Sequence, residues 1–272
     1  IDRTSDPAQL EHVRSRIEAA LDDVRVAVED WPAMLRQARE LAAAVTQKVP
    51  GLSRAETQEA GAFLAWLADN HFTFLGYREY RLERGPSVDR LAPVAKSGLG
   101  LLRTGAGRPR AQTTLLRGEV RRKAREAVAL VVTKANSVST IHRATYLDYV
   151  GVKTFDARGR VTGERRFIGL FTSATYSASP REIPLLRHKV QRVIDHFGIS
   201  PVSHDGKALM HVLESHPRDE LFQASIAELV RSFRGIVNLY ERRRVLLLLR
   251  RDPYRRFFSC LLAFMGAMGG VV

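Results

Sequence analysis

The hydrophobic pattern at the start of the chain is that of an amphipathic helix. Over residues 7–30, apolar side chains recur every seven positions, with smaller apolar residues at intermediate positions. This spacing is typical of a helix that packs against a second helix, in the same chain or in another. The candidate interface residues are Leu10, Ile17, Val24 and Trp31.

A second helix is predicted directly after the first. Pro32 suits the first turn of a helix over about 33–48, and Pro50 with Gly51 would end it. Residues 1–52 are therefore predicted to form a helical hairpin.

The middle of the chain changes from helical to alternating periodicity. Ser53 and Glu56 have the spacing of a capping box, which predicts a helix to about residue 69. A helix over 183–197 would end at Gly198. Between these two helices, strands are predicted over 77–82, 98–103, 129–134, 145–155 and 164–172, with a helix over 112–126 and a hairpin turn at 157–160. The order predicts an α+β fold with an antiparallel sheet.

The last part of the chain begins as helices and ends as strands. Helices are predicted over 207–214 and 226–240, and strands over 243–250 and 255–264. Helix, strand, strand is the beginning of an α/β module, which we expect to be incomplete in residues 201–272.

Composition narrows the function classes. The chain has 272 residues and a net charge of +14, which makes nucleic acid an obvious candidate partner. The charge is uneven, because acidic residues outnumber basic ones in 1–70 and the reverse holds in 71–272. The single cysteine excludes a disulfide scaffold or a Cys-based zinc site, and it is typical of a cytoplasmic protein.

Motifs for catalysis are missing from the sequence. Gly98 and Gly100 do not make a dinucleotide loop, because Arg103 stands where a third glycine is needed. There is no phosphate-binding loop and no nucleophile elbow. The cluster His204, His211, Glu214 and His216 does not complete a zinc pattern. We therefore assign no catalytic, cofactor-binding or metal-binding residue.

Arginines near the last two strands form a candidate contact for an anion or for another domain. They are Arg243, Arg250, Arg251 and Arg255. The alternation of side chains along a regular strand argues against a single patch, and a solvated rim with ion pairs is the alternative interpretation.

Neither nucleic acid nor a membrane is favoured as a partner. The basic segment 103–125 has no aromatic residue on which a base would stack, so an Arg-rich module for nucleic acid or another polyanion is the alternative hypothesis. The uncharged stretch 257–272 is shorter than a spanning helix and contains three glycines. We expect it to hold a buried strand rather than a membrane anchor.

Several short segments resemble the large bacterial NAD-dependent glutamate dehydrogenases, in the same order along the chain. They are residues 70–77, 133–137, 141–143, 146–149, 166–172, 183–190, 217–222, 241–245 and 251–252. Since the chain begins without Met, the resemblance implies an N-terminal piece of a longer protein.

The resemblance implies a PAS-like module over 53–200 and a truncated ACT-like module over 201–272. It also implies a non-catalytic role in assembly or regulation, within an enzyme that deaminates L-glutamate oxidatively to 2-oxoglutarate and ammonia. NAD would bind to the catalytic domain, which lies outside this chain. The implied partners are that downstream domain, further copies in a homo-oligomer, and an amino-acid effector.

Overall fold

The computed structural model describes residues 7–47, 49–105, 112–242, 246–251 and 257–262. The chain divides into two compact units, Ile1–Thr175 and Tyr176–Val272. The first unit holds a long helix and a seven-stranded sheet, and the second holds four helices followed by a two-stranded ladder. The α+β class expected from the sequence is confirmed.

One continuous helix, α1 (Pro7–Ala44), replaces the predicted hairpin, so that prediction is wrong. Pro32 lies inside the helix, where it removes one backbone donor. Pro32 is exposed, so water can satisfy the carbonyl left without a partner. The buried stripe keeps its helical spacing across the proline, which favours an unbroken helix over a turn. Its members are Ala27, Asp30, Met34, Ala38, Leu41 and Val45.

The sheet of the first unit is antiparallel. Its strands are β1 (Phe72–Glu83), β2 (Asp89–Pro93), β3 (Leu99–Gly100), β4 (Thr114–Leu116), β5 (Leu130–Val138), β6 (Tyr146–Phe155) and β7 (Val161–Phe171). The order across the sheet is β4-β2-β1-β7-β6-β5, and β3 also pairs with β1. The helices of this unit include α1, α2 (Arg54–Trp66), α3 (Gly118–Arg125) and α4 (Ser173–Ser177), and a π-helical turn over Leu67–His71 follows α2.

Local signals in the sequence are confirmed where they were strongest. The Ser53 hydroxyl accepts the Glu56 N–H at 3.1 Å and caps α2. The predicted turn between β6 and β7 is held by Asp156, whose carboxylate accepts the Arg158 and Arg160 amides. The helix predicted over 112–126 is shorter than expected, because residues 114–116 form β4 instead.

The two faces of the sheet differ in chemistry. One face of β1 and β7 holds a buried aromatic cluster, in which Phe72, Phe74, Phe167 and Phe171 meet edge to face at centroid distances of 5.1 to 5.4 Å. The other face is apolar at both ends. At one end, Ala27 of α1 packs with Leu75, Ile141, Leu147, Ile168 and Leu170. At the other end, Leu82, Leu91, Leu116 and Val161 form a second cluster.

A buried carboxylate joins α1 to the sheet. Asp30 is 7% exposed and accepts the Gly100 N–H of β3 at 2.7 Å. Its second oxygen accepts from Arg103 at 2.6 Å, while Arg103 also contacts Glu29. The segment 94–103, which is hydrogen-bonded alongside β1 through β3, is thereby fixed to α1.

A second buried carboxylate holds α3 and the β1–β2 loop. Asp89 is fully buried and receives hydrogen bonds from Arg121, Arg125 and the Gly85 amide. Arg125 is the main cause of a pKa for Asp89 far below the ordinary value, although burial alone would raise it. Asp89 therefore remains ionised throughout the physiological range.

The second unit is helical where the sequence predicted helices. It contains α5 (Leu186–Phe197), α6 (His204–Ser215), α7 (Arg218–Gln223) and α8 (Ile226–Arg242), followed by the ladder of β8 (Leu246–Arg251) and β9 (Phe257–Leu262). Gly198 ends α5 in the left-handed conformation, as expected. Lys189 donates to the carbonyls of Leu221, Phe222 and Ala224 near the end of α7. Burial lowers the pKa of its ammonium group to about 8.

Two predictions about the end of the chain are tested only in part, because the described residues end at 262. Residues 263–272 lie outside the described part, so the truncated module stays a prediction. Within the described residues, none of the helices is long and apolar enough to cross a membrane.

We predict that Asp30→Ala releases the segment around Gly100. The Gly100 amide loses its acceptor, so its hydrogen exchange should accelerate by about tenfold or more, in line with a lost buried bond of about 1.5 kcal/mol or more. Glu29→Gln is the matched control, because it removes a contact to Arg103 but leaves the bond to Gly100. Equal exchange at Gly100 in the wild type and Asp30→Ala would contradict the assignment.

We predict that Asp89→Asn lowers the free energy of unfolding by about 2 to 3 kcal/mol at neutral pH, measured by urea denaturation. Glu119→Gln, which breaks an exposed pair with Arg122, should cost less than about 0.5 kcal/mol. Since the folded pKa of Asp89 is lowered, its contribution is present above the unfolded pKa of about 3.9 and is lost as the pH falls further. In a plot of the free energy of unfolding against pH, Asp89→Asn should therefore lose less stability than the wild type in the acid range. An unchanged slope in that range would refute the prediction.

Candidate functional site

The four residues predicted to form an interface are exposed on α1. Leu10, Ile17, Val24 and Trp31 are 49%, 55%, 45% and 46% exposed. Val13, Leu21 and Val28 are exposed too and extend the same stripe at spacings of three and four residues. We call these seven side chains the apolar stripe. Large apolar side chains at such spacing on one helix form a surface suited to a second helix.

The first part of α1 has little support from the first unit. Residues 7–19 are exposed on every side of the helix, and the first buried position is Val26. A helical stretch of this length is marginal in water without packing. The helical stretch that carries this part of the apolar stripe therefore depends for its stability on a partner that covers the stripe.

The predicted arginine contact is only partly described. Arg243 and Arg255 lie outside the described residues. The backbone ladder places Arg250 opposite Phe258 and Arg251 opposite Phe257. A joint anion contact of the four arginines stays a prediction.

The histidine cluster does not converge on one point. The Glu214 carboxylate accepts from Ser179, while His216 lies 3.2 Å from Glu220. His204 and His211 line a separate surface hollow with Lys207 and Ala208. No group of three or more ligand residues in the described part of the chain could hold a metal ion.

The basic segment 103–125 is engaged in internal ion pairs. Arg103 binds Glu29 and Asp30, Arg121 and Arg125 bind Asp89, and Arg122 binds Glu119. The charges of these four arginines are therefore offset by carboxylates of the first unit.

A polar group that the sequence analysis missed lies in the middle of the sheet. Arg78 and Tyr80 of β1, Tyr149 of β6, and Glu164 and Arg166 of β7 lie between the two apolar clusters, and we call these five residues the polar belt. Alternation along each strand places them on one face, because Arg78 is opposite Arg166 and Tyr80 is opposite Glu164.

Four members of the polar belt satisfy one another. The Arg166 guanidinium lies 4.1 Å from the Tyr80 ring centroid and 4.9 Å from that of Tyr149, at cation–π distance. It also donates to Glu164 at 3.2 Å, and the Tyr149 hydroxyl donates to the same carboxylate. Burial and the charge of Glu164 raise the pKa of Tyr149 well above its usual value. Burial disfavours the charged form of Arg166, but Tyr149, Glu164 and Tyr80 together raise its pKa.

Gly151 makes room for this arrangement. A Cβ at Gly151 would lie 2.8 Å from the Tyr149 hydroxyl and 2.9 Å from the Glu164 carboxylate. A side chain there would separate the tyrosine from the glutamate, so the belt requires glycine at this position.

Arg78 is the exception within the polar belt. Its side chain is buried, with the whole residue 4% exposed, and its Nε has no hydrogen-bond partner in the described chain. Burial lowers the pKa of its guanidinium, and Tyr80 acts in the opposite direction.

Sequence comparisons connect the chain to glutamate dehydrogenases. A family model described as "Glutamate dehydrogenase, helical motif 1" matches residues 183–242, which contain α5 to α8. The NAD-specific glutamate dehydrogenase of Halomonas elongata is 41% identical over 96% of this chain. Those of Pseudomonas aeruginosa and Mycobacterium tuberculosis are 38% and 32% identical over 96% and 93% of it.

The similarity covers a small part of each relative. The chain spans 16% of the Halomonas and Pseudomonas proteins and 14% of the Mycobacterium protein. The match extends over nearly the whole chain, so it includes the sheet of the first unit as well as the helices of the second. The chain is thus a segment that belongs to the family of large NAD-specific glutamate dehydrogenases.

Proposed function

We propose that this chain is a non-catalytic segment for assembly and regulation of an NAD-dependent glutamate dehydrogenase. The parent enzyme would convert L-glutamate to 2-oxoglutarate and ammonia with NAD bound elsewhere in its chain. The names of the relatives support the parent activity, and the small share of their length supports a segment role. Its partners would be the catalytic domain of the same chain, further copies of the enzyme in the cytoplasm, and an amino-acid effector.

The apolar stripe on α1 is the observation that carries the assembly role. Seven large apolar side chains, each 45% to 69% exposed, extend along a helix of 38 residues. Burying apolar surface contributes about 25 cal/mol per Å², so covering this stripe would stabilise an association strongly. A helix that presents such a seam commonly packs on a second helix, and a neighbouring subunit is the partner we propose.

The module assignments are proposals at a finer level. The antiparallel sheet of the first unit supports a PAS-like module. The order α8, β8, β9 supports the beginning of an ACT-like module. The matched helical motif extends to residue 242, so the ACT-like proposal rests mainly on β8 and β9.

The hypothesis of an Arg-rich module for nucleic acid has less support. The relatives are enzymes by name, and four arginines of segment 103–125 are held by carboxylates. We therefore do not propose it further.

We predict that the double substitution Ile17→Asp and Val24→Asp disrupts assembly of the full-length enzyme. Two buried carboxylates in a helix–helix seam are costly, so sedimentation velocity should show dissociation to smaller species. The control Ser15→Asp with Ala19→Asp places the same charges on another, exposed side of the same helix. Its oligomeric state should equal that of the wild type. An unchanged oligomer in the Ile17/Val24 variant would refute the assembly role of the stripe.

A further inference from the structure

Arg78 is a buried cation to which the described part of the protein supplies no counter-charge. Its residue is 4% exposed, and its Nε has no hydrogen-bond partner. Leaving a guanidinium unpaired in the interior is costly, because the lost hydration is not replaced. Such a group calls for a physical explanation.

The residues near Arg78 add further positive charge. Arg166 lies directly opposite on β7, and like charges opposite each other in a sheet repel. Lys153 of β6 is also buried and lies opposite Glu164. Among the polar belt and Lys153, three cations therefore accompany one carboxylate, that of Glu164.

The other two cations are compensated. Arg166 is bound by Glu164 and stacked on two tyrosine rings. Lys153 donates to the carbonyls of Lys123, Ala124 and Glu126 at 2.5, 3.1 and 2.9 Å, at the end of α3, where a helix favours positive charge. Of these three cations, Arg78 is thus the one whose positive charge is not compensated in the described chain.

The backbone of Gly98 lies against the Arg78 guanidinium. The segment 94–103 is hydrogen-bonded alongside β1 through β3, and a Cβ at Gly98 would lie 2.4 Å from an Nη atom of Arg78. The segment is held at separate points, by Asp30 through Gly100 and by Ser97, which accepts the Glu79 amide at 3.1 Å. Access to the guanidinium from this side requires the segment, together with β3, to move away from β1.

We propose that Arg78 binds the carboxylate of a small molecule where its guanidinium meets the segment 94–103. A guanidinium fork matches a carboxylate in two parallel hydrogen bonds. A single negative charge would balance the guanidinium of Arg78, whose Nε has no partner in the described chain. This site is separate from the apolar stripe, so it can succeed or fail independently of the assembly role.

The test compares Arg78→Met with Arg81→Met, which changes an exposed arginine on the same strand. Removing an unpaired buried charge should raise the melting temperature of the ligand-free chain by several degrees, whereas Arg81→Met should leave it unchanged. A lower melting temperature for Arg78→Met would overturn the proposal, because it would mean that the arginine serves the fold.

Binding is measured with acetate, L-glutamate and inorganic phosphate, each against chloride at equal ionic strength. Acetate or L-glutamate should raise the melting temperature of the wild type and of Arg81→Met, and the effect should be lost in Arg78→Met. Binding of phosphate alone, or carboxylate effects that persist in Arg78→Met, would overturn the carboxylate site.

If Arg78→Met does not fold, NMR of the unaltered chain tests the proposal instead. The Arg78 Nε–H resonance should shift when acetate or L-glutamate is added. No shift with either would refute the proposal.

Discussion

The first unit depends on one buried carboxylate, that of Asp30 on α1. Its two oxygens accept the Gly100 amide of β3 and the Arg103 guanidinium, and this fixes the long helix against the segment that pairs with β1 through β3. The bond also sets the rotation of α1 about its axis. With Asp30 turned inward, the neighbouring Trp31 is left exposed at the end of the apolar stripe. The orientation of the proposed assembly surface and the position of the segment next to the proposed ligand site thus depend on the same carboxylate.

More of the charged side chains form contacts within the fold than the net charge alone would suggest. Asp89 and Asp30 bind arginines that the sequence alone would assign to a basic surface. Arg166 is likewise taken up by Glu164 and the tyrosine rings. Arg78 differs from these arginines, because it is buried and its Nε has no partner in the described chain. An imbalance at a single buried group points to a small anion, whereas an open patch would point to a polyanion.

The sequence predicted the parts of the fold that local chemistry decides. The Ser53 cap, the turn at Asp156 and the end of α5 at Gly198 each depend on neighbours within a few residues. The hairpin prediction was wrong because Pro32 has two acceptable positions, and the buried stripe that selects between them depends on packing. Strand β2 was missed because its first residue, Asp89, is a charged side chain buried by arginines far away in sequence. The polar belt was missed for the same reason: Arg78 and Arg166 meet only when β1 and β7 pair.

The central claim is that the apolar stripe of α1 is covered in the assembled enzyme. Hydrogen exchange of the backbone amides in residues 8–19, measured in the full-length enzyme and in the chain alone, tests it most directly. The account predicts slow exchange in the assembled enzyme and exchange faster by about a hundredfold or more in the separate chain, because an unsupported helix of this length frays. Equally fast exchange in both would show that the stripe stays uncovered, and would contradict the account.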